Sequence, residues 1–416
     1  MTPAPRFDVI VIGAGIIGVS AALQLQASGR DVTVVDRKGV AAETSRGNAG
    51  AFAFTDIEPL ATPGIMRKAP GWLLDPLGPL SIPPAYALKI LPWLLRFWRA
   101  SWSDRYQASM TAQAELMRAS QAALERQIKS VDGERLMRRD GQLQLYESER
   151  EFTASRPAWD VRRQHGIVFE LLESPGAIAE IQPGLHPRFT HAGFTPSWMN
   201  TCDPAVWTRH LADTFLSRGG AIDIAGIHTL APAENGVLVK TSAGVRTAGQ
   251  VVVAAGAWSH HLARMLGDTI PLETERGYNT TLPDPGFDLR THLTFTGHGF
   301  VVTKIGNGIR VGGAVELGGL KLPPNYKRSE ILLKKAAGFL NGLKTTGGQQ
   351  WMGFRPSLPD SLPVIGRSPK AGRVIYAFGH GHLGLTQSAG TAELVTALAN
   401  DRTPDIDLHP FSATRF

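Results

Sequence analysis

A chain of 416 residues, 43% hydrophobic and 19% charged with 45 glycines, is long enough to bury large cores and to divide into more than one domain. Its net charge of +7 is scattered, with brief clusters such as Arg138-Arg139 and no arginine-rich arm, which argues against nucleic acid and leaves anionic small molecules or an anionic lipid surface as partners. A single cysteine, Cys202, rules out an intrachain disulfide and a multi-cysteine metal site, so no metal is expected and a reducing, cytoplasmic compartment fits.

Residues 9–25 are apolar enough to suggest a secretory core, but Gly13, Gly15 and Gly18 break the run and no basic segment of weight precedes it. They read instead as a strand over 7–12, a helix over 16–28 stopped by Gly29, and a second strand over 31–35 with Asp36 at its tip. Gly13-x-Gly15-x-x-Gly18 between that strand and helix is the dinucleotide fingerprint. The first glycine permits the tight turn, the second admits a pyrophosphate, the third lets the helix pack, and Asp36 can accept from a ribose hydroxyl. Gly13, Ala14, Gly15, Ile16, Ile17, Gly18, Asp36 and Arg37 are therefore candidate cofactor residues. The motif does not separate NAD from FAD.

Residues 70–102 are unusually apolar and aromatic, with Trp72, Leu73, Leu74, Tyr86, Trp93, Leu94, Leu95, Phe97, Trp98 and Trp102. Pro76, Pro79, Pro83, Pro84 and Pro92 interrupt the stretch, and Lys89, Arg96 and Arg99 stud it. No uninterrupted apolar span reaches the roughly 18 residues of a membrane-crossing helix. A helix over 104–130 follows, with Met110, Ala114, Met117, Leu124 and Ile128 on one face. Strands over 142–146, 299–304 and 308–315, the last two joined by Gly306-Asn307, suggest an antiparallel sheet. The run 250–255, almost wholly apolar and ended by Gly256, suits a buried strand of the nucleotide domain, which is then discontinuous in sequence.

Further segments are Ser45-Arg46-Gly47-Asn48-Ala49-Gly50, Ala254-Ala255-Gly256-Ala257-Trp258-Ser259, Gly353-Phe354-Arg355-Pro356 with Asp360 and Pro363-Val364-Ile365-Gly366, and Gly379-His380-Gly381-His382-Leu383-Gly384-Leu385-Thr386. With the fingerprint, they make nearly the whole chain resemble the FAD-dependent amine and amino-acid oxidoreductases typified by D-amino-acid oxidase, glycine oxidase and bacterial D-amino-acid dehydrogenase. The resemblance implies non-covalent FAD, with Ser45, Asn48, Ala49 and Gly50 beside the flavin, Ile227, Ala255, Gly256 and Trp258 near the dinucleotide, and Gly381, His382, Leu383, Gly384, Leu385 and Thr386 at a helix N-terminus facing the flavin pyrimidine. Such a terminus stabilises the negative charge that gathers at the N1/O2 edge on reduction.

The fold class expected is α/β plus α+β: a discontinuous Rossmann-type FAD domain from residues 1–60, parts of 140–260 and 350–416, an apolar segment with a helix over 61–135, and an antiparallel-sheet substrate domain from parts of 140–205 and 262–349. The resemblance implies that Arg355 pairs two-point with a substrate carboxylate. Arg276 and Tyr278 match a strand roofing the site, and His382 a second polar pocket residue. Phe300 falls where some relatives carry a substrate tyrosine, which leaves the clamp one hydroxyl short.

These features imply hydride transfer from a substrate Cα–H to flavin N5, giving an imino acid. D-amino acids are the expected substrates, D-proline and hydroxy-D-proline foremost, with a quinone-type acceptor. Open alternatives are an oxygen-using glycine or sarcosine-type oxidase, a 2-hydroxy-acid dehydrogenase, and a non-catalytic FAD-binding subunit of a hetero-oligomer. Residues 70–102 suit a peripheral contact with the inner face of a membrane, the tryptophans at the interface and the basic residues toward anionic head groups. The same density of tryptophan and leucine also suits interior packing or a subunit interface. Oligomeric state is left open.

Overall fold

The computed structural model describes residues 6–74 and 80–416. In chain order the elements that build the site are β1 (Arg6–Ile12), α1 (Ile16–Ala27), β2 (Val32–Asp36), α2 (Ala87–Ala100), α3 (Ser103–Ser130), β3 (Gln142–Tyr146), α4 (Glu149–Gln164), β4 (Gly244–Val253), β5 (Glu273–Leu282), β6 (His292–Phe295), β7 (Phe300–Ile305), β8 (Gly308–Glu316), β9 (Gln349–Ser357), β10 (Val374–Phe378) and α5 (Gly384–Ala399).

The first sheet centres on β1, which pairs in parallel with β2 on one side and β4 on the other. Ala221–Ile224 extends it beyond β2, and β10 extends it beyond β4, so strands separated by over two hundred residues of sequence, such as β1 and β4, lie side by side. β-Branched, fully buried runs such as Val9–Ile12 and Val251–Val253 are what a sheet covered on both faces requires. Helices α1, α3 and α5 cover one face; Met117, Leu124 and Ile128 of α3 enter the same apolar cluster as Val19, Leu385 and Ala389. Residues 103–130 thus pack into the core of the first sheet.

The second sheet runs β9-β5-β8-β7-β6-β3 and continues through His191–Thr195 to Glu170–Leu172. It is antiparallel as expected except where β6 meets β3 and where the short strand Leu80–Ser81 meets β8, both of which run parallel. One face packs Leu143, Leu145, Val302 and Val311 into a core closed by Lys327–Phe339. The opposite face looks toward the first sheet.

Pro92 does not interrupt its segment: it sits exposed inside α2, where the missing N–H costs one hydrogen bond on the outer surface. Ile90 and Trp93 pack inward against Leu317, whereas Leu88, Leu91, Leu95, Trp98 and Trp102 stay exposed. Pro76 and Pro79, and the side chains of Trp72, Leu73 and Leu74, lie outside the described residues. Among the described residues no helix is long and apolar enough to cross a membrane.

Candidate active site

Between the sheets lies a cavity of about 790 Å³. At one end the glycine fingerprint builds a close backbone cradle. Gly13 has φ +114°, and a β-carbon there would stand 2.4 Å from the Ala254 carbonyl oxygen. At Gly18 it would stand 1.8 Å from the Gly13 oxygen, so α1 packs on its own turn only without a side chain. The Asp36 carboxylate accepts from the N–H groups of Ala14 at 2.9 Å, Lys38 at 2.7 Å and Gly39 at 2.9 Å, which fixes it at the cavity wall. The Ser45 hydroxyl accepts from the Ile16 N–H at 2.9 Å at the start of α1. The Arg37 guanidinium lies 3.9 Å over the Trp258 ring.

Gly13, Gly15, Ile16, Ile17, Asp36, Arg37, Ser45, Asn48, Ala49, Ile227, Ala255, Gly256 and Trp258 line this end, and Gly381, His382, Leu383, Gly384 and Leu385 bring the N-terminus of α5 to the cavity. Ala14, Gly18, Gly50 and Thr386 stand just behind the wall. The Thr386 hydroxyl accepts from the Ala53 N–H at 2.9 Å, and the Gly50 N–H donates to Asn48 Oδ1 at 2.7 Å. Buried acceptors and donors left without a partner, Asn279 Oδ1, His292 Nδ1 and Trp198 Nε1, belong to residues that line the same cavity. A narrow glycine cradle, an acid at the strand tip and a helix N-terminus across from it fit FAD.

Strand alternation decides the substrate end. On β5, Glu275, Gly277 and Asn279 share a face, and all three line the cavity. Arg355, paired across from Glu275 on β9, leans over Gly277. Among the described residues its one hydrogen bond is from Nη1 to the Ala314 carbonyl at 3.1 Å, leaving donors of the fork free toward the cavity. Burial lowers its pKa from the ordinary value, while Glu275 acts to raise it. His382 stands on the exposed lip of the cavity, and loss of solvent around it together with the charge of Arg355 lowers its pKa.

The structure separates Arg276 from these residues. It points to the opposite face of β5, fully buried, where it bonds Glu316 at 3.0 Å and the carbonyls of Gly319, Leu322 and Pro323. Tyr278 touches the cavity, but its hydroxyl donates to Glu316 at 2.9 Å and accepts from the Asn325 N–H at 3.0 Å, both on that far side. The reason is period two: Gly277 and Arg355 claim the cavity face, so the residues flanking Gly277 must face away.

Other cavity residues escaped the sequence reading. Glu275 was discoverable by the same alternation. Gln142, Gln144 and Thr294 form a polar wall on β3 and β6, Gln142 Nε2 donating to Thr294 at 2.8 Å. Trp351 packs on Gly47 and Gly353, and Asp56 lines the cavity with its carboxyl pushed up to about 6, chiefly by burial. Phe300 lines the cavity and is 2% exposed.

The model of a family described as FAD dependent oxidoreductase matches residues 8–398. A D-amino-acid oxidase of Bradyrhizobium diazoefficiens is 34% identical over 98% of both chains, and a D-amino acid dehydrogenase of Sinorhizobium medicae is 33% identical over 98% of this chain and 99% of that one. Among solved structures, glycine oxidase from Geobacillus kaustophilus superposes with a TM-score of 0.78 at 21% identity, covering 99% of each chain. L-Proline dehydrogenase from P. horikoshii does so at 0.74 and 19%, covering 100% of this chain and 98% of that one. With its fingerprint, cradle and cavity in place, this chain belongs to the FAD dependent oxidoreductase family.

Proposed function

We propose that the protein is a dehydrogenase that oxidises the Cα–N bond of a small D-amino acid, D-proline and hydroxy-D-proline foremost, and passes the electrons to a quinone-type acceptor. The observation that carries this reading is Arg355, a half-buried cation whose fork has free donors inside a cavity continuous with the dinucleotide cradle. A carboxylate paired there fixes the rest of the substrate in direction and distance. FAD, held by the glycine cradle, Asp36 and the N-terminus of α5, would supply the electron sink for this oxidation. The apolar Phe300 lines the cavity and adds no charge to its wall. The substrate loses two electrons and two protons to become an imine; water then releases a keto acid and ammonia, whereas a proline yields a cyclic imine.

A panel of D- and L-amino acids mixed with the holoenzyme without oxygen tests this directly. Flavin bleaching by D-proline and related D-isomers is expected; bleaching by glycine or L-isomers alone would reject it. Arg355→Leu should raise KM and lower kcat together.

The acceptor reading draws on α2. Leu88 is 86% exposed, and Leu91, Leu95, Trp98 and Trp102 continue its stripe at about half exposure, flanked by exposed Lys89 and Arg96. An apolar stripe edged by basic residues suits shallow insertion at the inner face of a membrane, where a quinone is met. Trp93 points inward and takes no part. Leu95→Glu with Trp98→Glu should abolish sedimentation with anionic vesicles and leave folding intact. Oxygen reduction as fast as quinone reduction, with no vesicle binding, would reject the assignment.

A further inference from the structure

The carboxylate clamp contains an acid that the proposed reaction does not use. Glu275 is 5% exposed, lines the cavity and is the cross-strand partner of Arg355. Among the described residues the two do not close an ion pair. The guanidinium instead passes over Gly277, whose β-carbon would stand 2.4 Å from Nη2, and donates to Ala314. One cation and one nearly buried carboxylate therefore already share the cavity wall before any substrate arrives.

A substrate carboxylate seated on Arg355 would be the second anion on one guanidinium. Two carboxylates on one guanidinium, one of them nearly buried, do not both stay ionised, because the Coulomb repulsion and the desolvation penalty act in the same direction. One must hold a proton. The substrate's anion is the one that receives the fork's free donors, so the proton falls to the other.

We propose that Glu275 takes up a proton when a carboxylate substrate binds, trading its own charge for that of the substrate at Arg355. This rests on the reading of Arg355 as the clamp. Glu275 is a positioning residue in this role: ionised, it holds the guanidinium charge in the empty site; neutral, it leaves that charge to the ligand. Burial already pushes its carboxyl above the ordinary range, against the pull of Arg355. Asp56 lines the same cavity with its carboxyl also raised, so Glu275→Gln is the variant that tells the two acids apart; the other neighbouring groups are engaged elsewhere or lowered. Glu273 accepts from Tyr86, Arg276 is bonded to Glu316 across the sheet, and His380 and His382 are pushed down to about 3 and about 4.

The test is calorimetric titration of the holoenzyme with pyrrole-2-carboxylate, a planar monocarboxylate whose ring nitrogen does not titrate, in buffers of different ionisation enthalpy. Near neutral pH about one proton should be taken up per carboxylate bound, with Kd weakening about tenfold per pH unit once Glu275 is ionised in the free enzyme. Glu275→Gln should bind with no proton uptake and a flat pH profile, while His382→Asn should keep the uptake. No uptake by the wild type, uptake persisting in Glu275→Gln, or its loss in His382→Asn would each overturn the proposal. Should Glu275→Gln not fold, the wild-type proton count decides alone. Unchanged binding by Arg355→Leu is the separate signature that the clamp reading has failed, and the inference falls with it.

Discussion

The Arg355 guanidinium occupies the space that a side chain at Gly277 would fill: Nη2 lies 2.4 Å and Cζ 2.5 Å from the position of a β-carbon there. The arginine tip can move, so Gly277→Ala should fold, yet the fork must leave its place over β5. We expect KM to rise about tenfold to a hundredfold, since misplacing a positioning group by about 1 Å costs that much. Flavin content should be unchanged. Normal kinetics in Gly277→Ala would show that the fork does not act from this position.

Asp36 holds the fingerprint turn and the loop after β2 together through the N–H groups of Ala14, Lys38 and Gly39. Its removal deprives the cofactor of an acceptor and loosens the loop that presents it. Asp36→Ala should weaken FAD binding by about 1.5–3 kcal/mol, the worth of a charge-assisted hydrogen bond. Flavin fluorescence released on dilution measures it.

Arg276 and Arg355 should fail in different ways. Arg276 and Glu316 are 0% and 3% exposed, and removing one partner strands the other charge in the interior. Arg276→Met is expected to lower stability by about 3–5 kcal/mol. Denaturant unfolding separates this from a kinetic defect: whatever enzyme remains folded should retain its KM.

His292 and His380 are both pushed down to about 3, chiefly by burial, and so stay neutral in the native state. Unfolded imidazoles bind protons near pH 6.5. Between these values the unfolded chain holds protons that the native chain does not. Stability should therefore fall as pH drops below about 6.5, by about 1.4 kcal/mol per pH unit for each histidine. Unfolding in urea with excess FAD checks it, and His292→Asn should make the decline shallower.

The parts legible in the sequence were those in which one short segment carries its own geometry. Gly13, Gly15, Gly18 and Asp36 fall within a single βαβ unit, and local spacing placed them. Arg276 misled because its motif names the strand but not which face each residue takes. That is settled by Gly277, which must yield its face to an arginine seventy-eight residues further on. Trp93 and Trp98 are alike in composition, and only the packing of α2 on Leu317 sends one inward and the other out. Asp56 and Gln144 carry no motif; distant chain crossings bring them to the cavity.

The order of strands in the first sheet also sets a timetable. Val251–Val253 of β4 cannot be flanked on both sides until β10 exists, and α1 finds its neighbour in α5. A ribosome adding about 5–20 residues per second exposes the glycine turn long before the elements that bury it. Such non-local closure slows folding. Cofactor capture is therefore a late event in the life of the polypeptide, and truncation within α5 should leave a nascent βαβ unit that never acquires flavin.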